Sequence, residues 1–229
     1  MEPYDIEYNR ETATSHGVVL YDYAQISGGE KVYDTYSIPG ALGEAVGEDK
    51  YKENLSIECV FSVASPMFMP KMRDLKSWLT GTGRLIISDD PGVFYKVWKI
   101  NYGDISREIR KFGTFSVSFV CTPYLFTREG QMETEDLSWN PGDTARPIYK
   151  IKGNGTATLT VNGKEMKATV NGDITIDTER MIAYNASGAS QNTALSGDYE
   201  DLFLQKGENS VSITSGFTLS AIPQWGYDV

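Results

Sequence analysis

The chain has 229 residues, of which 40% are hydrophobic and 23% are charged, a composition typical of a folded globular protein with one or two domains. Its formal net charge is −10 at pH 7, which argues against a surface built to bind nucleic-acid phosphates. No apolar run reaches the roughly 18 residues of a membrane span, and the N-terminal segment carries Asp5, Glu7 and Glu11 where a signal peptide would be apolar. We therefore expect a chain that neither spans a membrane nor is secreted.

Strands are predicted wherever apolar and polar side chains alternate with a period of two. Residues 55–62 and 115–121 alternate in this way, which is typical of half-buried antiparallel strands. Residues 95–100 are rich in aromatic and β-branched side chains and predict a further strand.

One helix is predicted between these strands. Phe68, Met72, Leu75 and Leu79 repeat with the period of an α-helix and would form one apolar face. Start signals precede them and a glycine follows, so we predict a helix over residues 67–80 that packs on the sheet.

A change of composition and charge predicts two domains. Residues 129–147 contain acidic residues, glycines and prolines without apolar periodicity, which indicates a linker, and the acidic cluster at 133–136 is interpreted as solvated. Residues 1–128 carry 14 basic and 17 acidic residues, whereas residues 129–229 carry 7 and 14. We predict an N-terminal domain over residues 1–128 and a more acidic C-terminal domain over residues 148–229.

The C-terminal half has the strongest hairpin signals. Asn162-Gly163 and Asn171-Gly172 each offer the two positive-φ residues of a type I′ turn, which predicts a three-stranded meander over residues 156–177. Alternating residues on both sides of Ser215-Gly216 predict a closing hairpin. Residues 185–199 are almost free of apolar side chains and predict a long surface loop. Such short strands and turns predict a β-sandwich.

No group of residues in the sequence marks an enzyme or a metal site. His16, the single histidine, lacks the sequence frame of a nucleophilic triad and is expected in a loop or at a strand end. The run Asp89-Asp90-Pro91-Gly92 is typical of a turn. Cys59 and Cys121 are interpreted as buried hydrophobic residues, with a disulfide between them as the alternative. We expect no catalytic residue, no metal ligand and no cofactor.

A series of segments, in their order along the chain, resembles the distal tail proteins of long-tailed bacteriophages and prophages. Residues 38–43 (IPGALG) are similar to an early loop of that family, and the rest of the resemblance extends over about residues 55–225. It is carried by residues 84–95 (RLIISDDPGVFY), 113–124 (GTFSVSFVCTPY), 147–155 (PIYKIKGNG), 159–163 (LTVNG), 174–177 (ITID), 207–213 (GENSVSI) and 222–225 (IPQW).

The resemblance implies a structural protein without an active site. Distal tail proteins form a hexameric ring that joins the tail tube to the tail-tip protein and to receptor-binding or baseplate proteins. The expected partners are therefore further copies of the chain and these tail proteins, and the expected location is the virion tail tip, after synthesis in the cytoplasm of the bacterial host. The expected fold class is mainly β, with two β-sandwich domains: the first contains one short helix and forms the ring, and the second is galectin-like.

The charge predicts how such a ring would assemble. Net charge of one sign opposes association, so the contacts must come from apolar burial and strand pairing. We expect the N-terminal domain to form the ring because its net charge of −3 is the smaller. An acidic ring would have no specific nucleic-acid partner and would not hold DNA that passes through it.

Two other functions remain open at this stage. The first alternative is a carbohydrate-binding module of a host-adhesion apparatus, in which aromatic side chains beside loops stack on sugar rings. The candidates for that role are Trp139, Tyr184, Tyr199 and Trp225, each of which could instead anchor a turn or pack under a sheet. The second alternative is an enzyme that cleaves a cell-wall polymer.

Overall fold

The computed structural model describes residues 4–40 and 42–229, without the side chains of residues 48–50. The chain divides into two compact units, Met1–Leu125 with Val229 and Phe126–Asp228. Strands dominate both units, and the described residues contain one α-helix, so the predicted mainly β fold class with one helix is confirmed.

The strands are β1 (Ile6–Tyr8), β2 (Glu11–Thr12), β3 (Val19–Leu20), β4 (Gln25–Ser27), β5 (Lys31–Ser37), β6 (Glu44–Lys52), β7 (Leu55–Ala64), β8 (Gly83–Ile87), β9 (Val93–Ile109), β10 (Phe112–Thr127), β11 (Trp139–Asn140), β12 (Ile148–Val161), β13 (Lys164–Asp177), β14 (Ile182–Tyr184), β15 (Leu195–Ser196), β16 (Gly207–Glu208), β17 (Val211–Ile213), β18 (Thr218–Ile222) and β19 (Gly226–Asp228). The helix is α1 (Phe68–Trp78), and short 3-10 helices occupy Thr14–His16, Glu129–Gln131, Asn192–Ala194 and Tyr199–Leu202.

The first unit is built on an antiparallel sheet with the strand order β2-β1-β8-β9-β10-β7-β3, in which β4 also pairs with β7. The ladder between β10 and β7 places Phe115 opposite Phe61 and Val117 opposite Cys59. These four side chains are almost fully buried, whereas Ser116 between them is only half-buried. The alternation predicted for residues 55–62 and 115–121 is therefore confirmed, and it defines the inner face of the sheet.

Helix α1 covers this inner face. Its residues Phe68, Met72 and Leu75 are buried in the same core as the sheet residues, together with Leu79 just beyond its end. Gly81, the glycine predicted to end the helix, follows it with a φ of +76, a backbone conformation that favours glycine. The apolar side chains from which a helix over residues 67–80 is predicted therefore form the buried face of α1.

The second unit is organised by two long strands. The 14-residue strands β12 and β13 pair along their whole length, from Val161–Lys164 at the turn to Ile148–Asp177 at the other end. Asn162 and Gly163 form the turn with φ values of +50 and +83, as predicted for a type I′ hairpin.

The predicted second turn at Asn171-Gly172 is wrong. Strand β13 continues through both residues, with Asn171 opposite Asn154 and Gly172 opposite Gly153. Of the two, only Gly172 has a positive φ, +86, whereas a type I′ turn needs two such residues. Residues 156–177 are therefore one hairpin and not a three-stranded meander.

The predicted closing hairpin at Ser215-Gly216 is also wrong. Strands β17 and β18 both pair antiparallel with β12: Ile213 lies opposite Leu159, and Leu219 lies opposite Ile151. They are consecutive segments along one side of β12, and the amide of Thr214 between them donates a hydrogen bond to the carbonyl of Thr158 on that strand. The sheet order in the second unit is β14-β13-β12-β17, with β15 on β13 and β18 on β12.

Two segments expected to be irregular contribute structure to the second unit. Residues 129–147, expected to be a linker, lie within that unit, contain β11, and bury Leu137 and Ala145 in its core. Residues 185–199, expected to be a long surface loop, contain a 3-10 helix and strand β15, which pairs Leu195 with Ala168.

Candidate functional site

The hairpin of β5 and β6 in the first unit carries several exposed apolar side chains. These strands form a two-stranded sheet of their own, with Tyr36 opposite Ala45 and Thr35 opposite Val46. Tyr36 is 53% exposed and Val46 is 64% exposed, and Ile38 and Leu42 at the tip are exposed as well. Isolated two-stranded hairpins are marginally stable in water, so this one has both the surface and the need for a covering partner.

Exposed apolar side chains are concentrated in the first unit as a whole. Among the described residues, 17 of the 22 large hydrophobic side chains that are exposed belong to Met1–Leu125 or Val229, and five belong to Phe126–Asp228. Single exposed apolar residues are normal, but a contiguous group such as the β5–β6 hairpin marks an interaction surface.

Of the four aromatic residues proposed as sugar-stacking candidates, three lie on β11, β14 and a 3-10 helix, and Trp225 lies between β18 and β19. Trp139 is on β11 opposite Glu208 and is 59% exposed, the only one of the four that is mostly exposed. Tyr184 is half-buried on β14. Tyr199 and Trp225 pack against the core of the second unit, and burial raises the pKa of Tyr199. The structure therefore gives each of these side chains a packing or edge position.

His16 contacts an aromatic ring and a carboxylate. Its ring stacks on Trp78, with 4.2 Å between centroids and 18° between planes, and its Nε2 lies 2.6 Å from Oε2 of Glu11. His16, which was expected in a loop or at a strand end, ends a 3-10 helix in the segment between β2 and β3. These contacts hold the segment before β3 against the end of α1.

Both cysteines are buried and free. Cys59 on β7 and Cys121 on β10 have no exposed surface and form no disulfide. Burial raises the pKa of each thiol to about 12. The interpretation as small buried hydrophobic residues is confirmed, and neither thiol has the low pKa of a reactive nucleophile.

The acidic clusters form turns and surface contacts. Residues 89–92 lie in the turn between β8 and β9. In this turn the amide of Asp90 donates a hydrogen bond to the carbonyl of Ile87. The carboxylate of Glu133 accepts hydrogen bonds from Lys150 and Ser220, and these bonds lower the pKa of the carboxyl group. Over residues 4–40 and 42–229, no group of three or more histidine, cysteine, aspartate or glutamate side chains could hold a metal ion.

None of the helices in the described part of the chain is long and apolar enough to span a membrane.

Comparison with known proteins identifies the fold, although no protein-family model matches the chain and no curated protein is similar to it in sequence. The fold is that of a hub protein from a phage adsorption apparatus. One solved structure that shows it is the crystal structure of the SPP1 Dit (gp 19.1) protein, described as a paradigm of the hub adsorption apparatus in phages that infect Gram-positive bacteria. The TM-score is 0.67 at 14% sequence identity, and the match covers 96% of this chain and 98% of that chain. The resemblance to distal tail proteins is thereby confirmed at the level of the fold.

The sequence analysis missed the β5–β6 hairpin as an interaction surface. Its signal was present in residues 31–37, where Val32, Tyr33 and Tyr36 stand among polar residues in a β-prone segment. The pattern does not say whether such a strand is covered by its own chain or by a partner.

Proposed function

We propose that the chain is a structural component of a phage tail tip, where six copies form a ring hub that joins the tail tube to the tip and host-adhesion proteins. The observation that carries this proposal is the fold, which is shared over 96% of the chain with a protein described as a hub of a phage adsorption apparatus. A structural hub needs interaction surfaces and no reacting group.

The distribution of apolar surface supports the first unit as the part that forms the ring. Burial of apolar area stabilises an association by about 25 cal/mol per Å², and the first unit holds most of the exposed large hydrophobic side chains of the described residues. Its β5–β6 hairpin presents Tyr36 and Val46 to a partner. Pairing of the hairpin or of a free sheet edge with a neighbouring copy would add backbone hydrogen bonds.

The charge distribution supports the same assignment. Repulsion between copies falls with net charge, and residues 1–128 carry −3 whereas residues 129–229 carry −7. Association through the first unit therefore brings together the less charged surfaces. The second unit, proposed to be a galectin-like sandwich, would present its acidic surface to the other tail proteins.

Light scattering on the full chain tests this assignment. Tyr36→Ser with Val46→Ser removes exposed apolar surface from the hairpin, and we expect it to lower the average mass at a given concentration while leaving the melting temperature of the individual chain nearly unchanged. Met132→Ser with Met181→Ser is the matched control, because these exposed side chains belong to the second unit. A loss of self-association in the control alone would contradict the proposal.

A further inference from the structure

A half-open pocket of about 230 Å³ lies in the first unit beside the edge strand β4. Tyr23 and Ile26 border it on the β4 side, and Asp89, Asp90 and Tyr95 border it at the β8–β9 turn. Its volume matches one large side chain and is too small for a strand or helix of a partner. None of its lining residues belongs to the β5–β6 hairpin.

Three tyrosine rings form part of the pocket wall, beside aliphatic side chains such as Ile26 and Val93. The rings of Tyr4 and Tyr23 meet edge to face with 4.6 Å between their centroids. The hydroxyl of Tyr4 accepts a hydrogen bond of 3.0 Å from the amide of Ala24, which fixes the Tyr4 ring against β4. Tyr95, only 9% exposed, supplies a third ring. Aromatic faces arranged in this way attract cations through their quadrupoles.

Three polar side chains of the pocket lack partners within the described chain. The carboxylates of Asp89 and Asp90 and the hydroxyl of Tyr95 form no hydrogen bond or ion pair with the part of the chain that the structure describes. The pocket has two acidic lining residues and no basic one, so its own charge is uncompensated.

The pKa shifts of the tyrosines agree with this arrangement. Burial raises the pKa of Tyr4, and the negative charge of Asp89 raises it further. Burial likewise raises the pKa of Tyr95, with smaller contributions from Cys121 and Asp90. Each carboxylate therefore acts electrostatically on a tyrosine of the pocket. A cation in the pocket would interact with the carboxylates and with the tyrosine rings.

We propose that this pocket binds the arginine side chain of a partner protein, with the guanidinium against the tyrosine rings and its N–H groups donating to Asp89 and Asp90. Charge complementarity selects a cation, because the only charged lining residues are acidic. Shape selects arginine over lysine, since a planar guanidinium stacks on aromatic rings and pairs with carboxylates through two N–H groups, whereas an ammonium is a compact, strongly hydrated charge. The pocket is thus a specificity contact for a basic segment of a partner.

Methyl NMR on the full chain tests the proposal, because Ile26 and Ile87 line the pocket and report its occupancy even in a large assembly. The probes are N-acetyl-arginine amide, its neutral isostere N-acetyl-citrulline amide, N-acetyl-lysine amide and N-acetyl-tyrosine amide. We expect saturable shifts of the Ile26 and Ile87 methyl signals with the arginine probe, weaker binding of the lysine probe, and no saturable shift with the two neutral probes.

Two sets of variants separate the pocket from the general attraction of a cation to an acidic protein. Asp89→Asn with Asp90→Asn keeps the turn-forming residue type and is expected to weaken arginine binding by about tenfold or more. Tyr23→Leu keeps the apolar area without the aromatic face and is expected to weaken it by a smaller factor. Asp104→Asn with Glu108→Gln removes the same number of charges from exposed positions of β9 and should leave binding unchanged.

Three results would overturn the proposal. Equal shifts with the arginine and citrulline probes would show that charge does not select the occupant. Equal or tighter binding of the lysine or tyrosine probe would assign the pocket to another side chain. Binding that survives the Asp89 and Asp90 substitutions would place the cation elsewhere. Each result is independent of whether the chain forms a ring.

Discussion

The aromatic ring of Phe217 fills the space beside Gly153 that a side chain would need: a Cβ atom at Gly153 would lie 2.4 Å from Cδ1 of Phe217. Gly153 has φ +151 and lies on β12, whereas Phe217 belongs to the segment between β17 and β18. The ring thereby covers the backbone of a central strand where two glycines, Gly153 and Gly172, face each other.

Replacement of Gly153 by alanine is expected to destabilise the chain by about 1–3 kcal/mol, because the new methyl group meets the Phe217 ring and the backbone keeps a positive φ. Urea unfolding measures the loss. Gly172→Ala is the matched control, since Gly172 also has a positive φ but has nothing within 4 Å of its added Cβ atom. If the two variants were equally stable, the contact with Phe217 would not limit this position.

The stack of His16 on Trp78 is expected to contribute more stability than the exposed contact between His16 and Glu11. His16→Ala should cost about 0.5–1.5 kcal/mol, the usual worth of an aromatic pair. His16→Phe keeps a ring over Trp78, and Glu11→Gln removes only the exposed charge, so both should remain close to the unmodified chain. Thermal unfolding of the three variants ranks them, and a His16→Phe variant as unstable as His16→Ala would contradict the assignment.

Cys59 and Cys121 are expected to resist thiol reagents in the folded chain, because burial holds both thiols protonated with a pKa of about 12. Absorbance with a disulfide reagent at pH 8 should show no reaction until urea unfolds the protein. Ser215→Cys places a thiol at an exposed position and is the positive control. Because the folded pKa is raised from 9.0, the thiols stabilise the fold below about pH 9, and this contribution declines as the pH rises towards 12. Rapid modification of the native chain would show that the inner face of the first sheet opens to solvent.

Glu133 is expected to stabilise the fold only when its carboxyl group is ionised. Hydrogen bonds from Lys150 and Ser220 lower its pKa below 4.5, so its contribution is present above pH 4.5 and is lost as the pH falls through the lowered value. Glu133→Gln should therefore be less stable than the unmodified chain at pH 7 and equal to it at strongly acidic pH, with a small difference because the pair is exposed. Glu135→Gln, a neighbouring exposed carboxylate, is the control, and a difference that persists at acidic pH would contradict the contact.

The parts of the fold that were predicted correctly are those in which burial repeats at short range. The alternation around Phe115 and Phe61 and the helical stripe of Phe68, Met72 and Leu75 record which side chains face the core. Sequence periodicity predicts these buried faces, because the direction of each side chain follows from its position in the strand or helix.

The parts that were missed depend on long-range pairing. The dipeptide Asn171-Gly172 has the composition of a hairpin turn. Both residues nevertheless pair with β12, so β13 continues through them. The pocket beside β4 was not predicted, because Tyr4, Tyr23 and Tyr95 are far apart in sequence and meet only when β4 and the β8–β9 turn are brought together.

The central claim is that this chain is a ring-forming hub, and the most direct measurement combines light scattering with negative-stain images of the purified full chain. The account predicts annular particles with sixfold symmetry and a mass six times the 25.4 kDa of one chain. A mass that stays at that of a single chain at every concentration, with no annulus in the images, would contradict it.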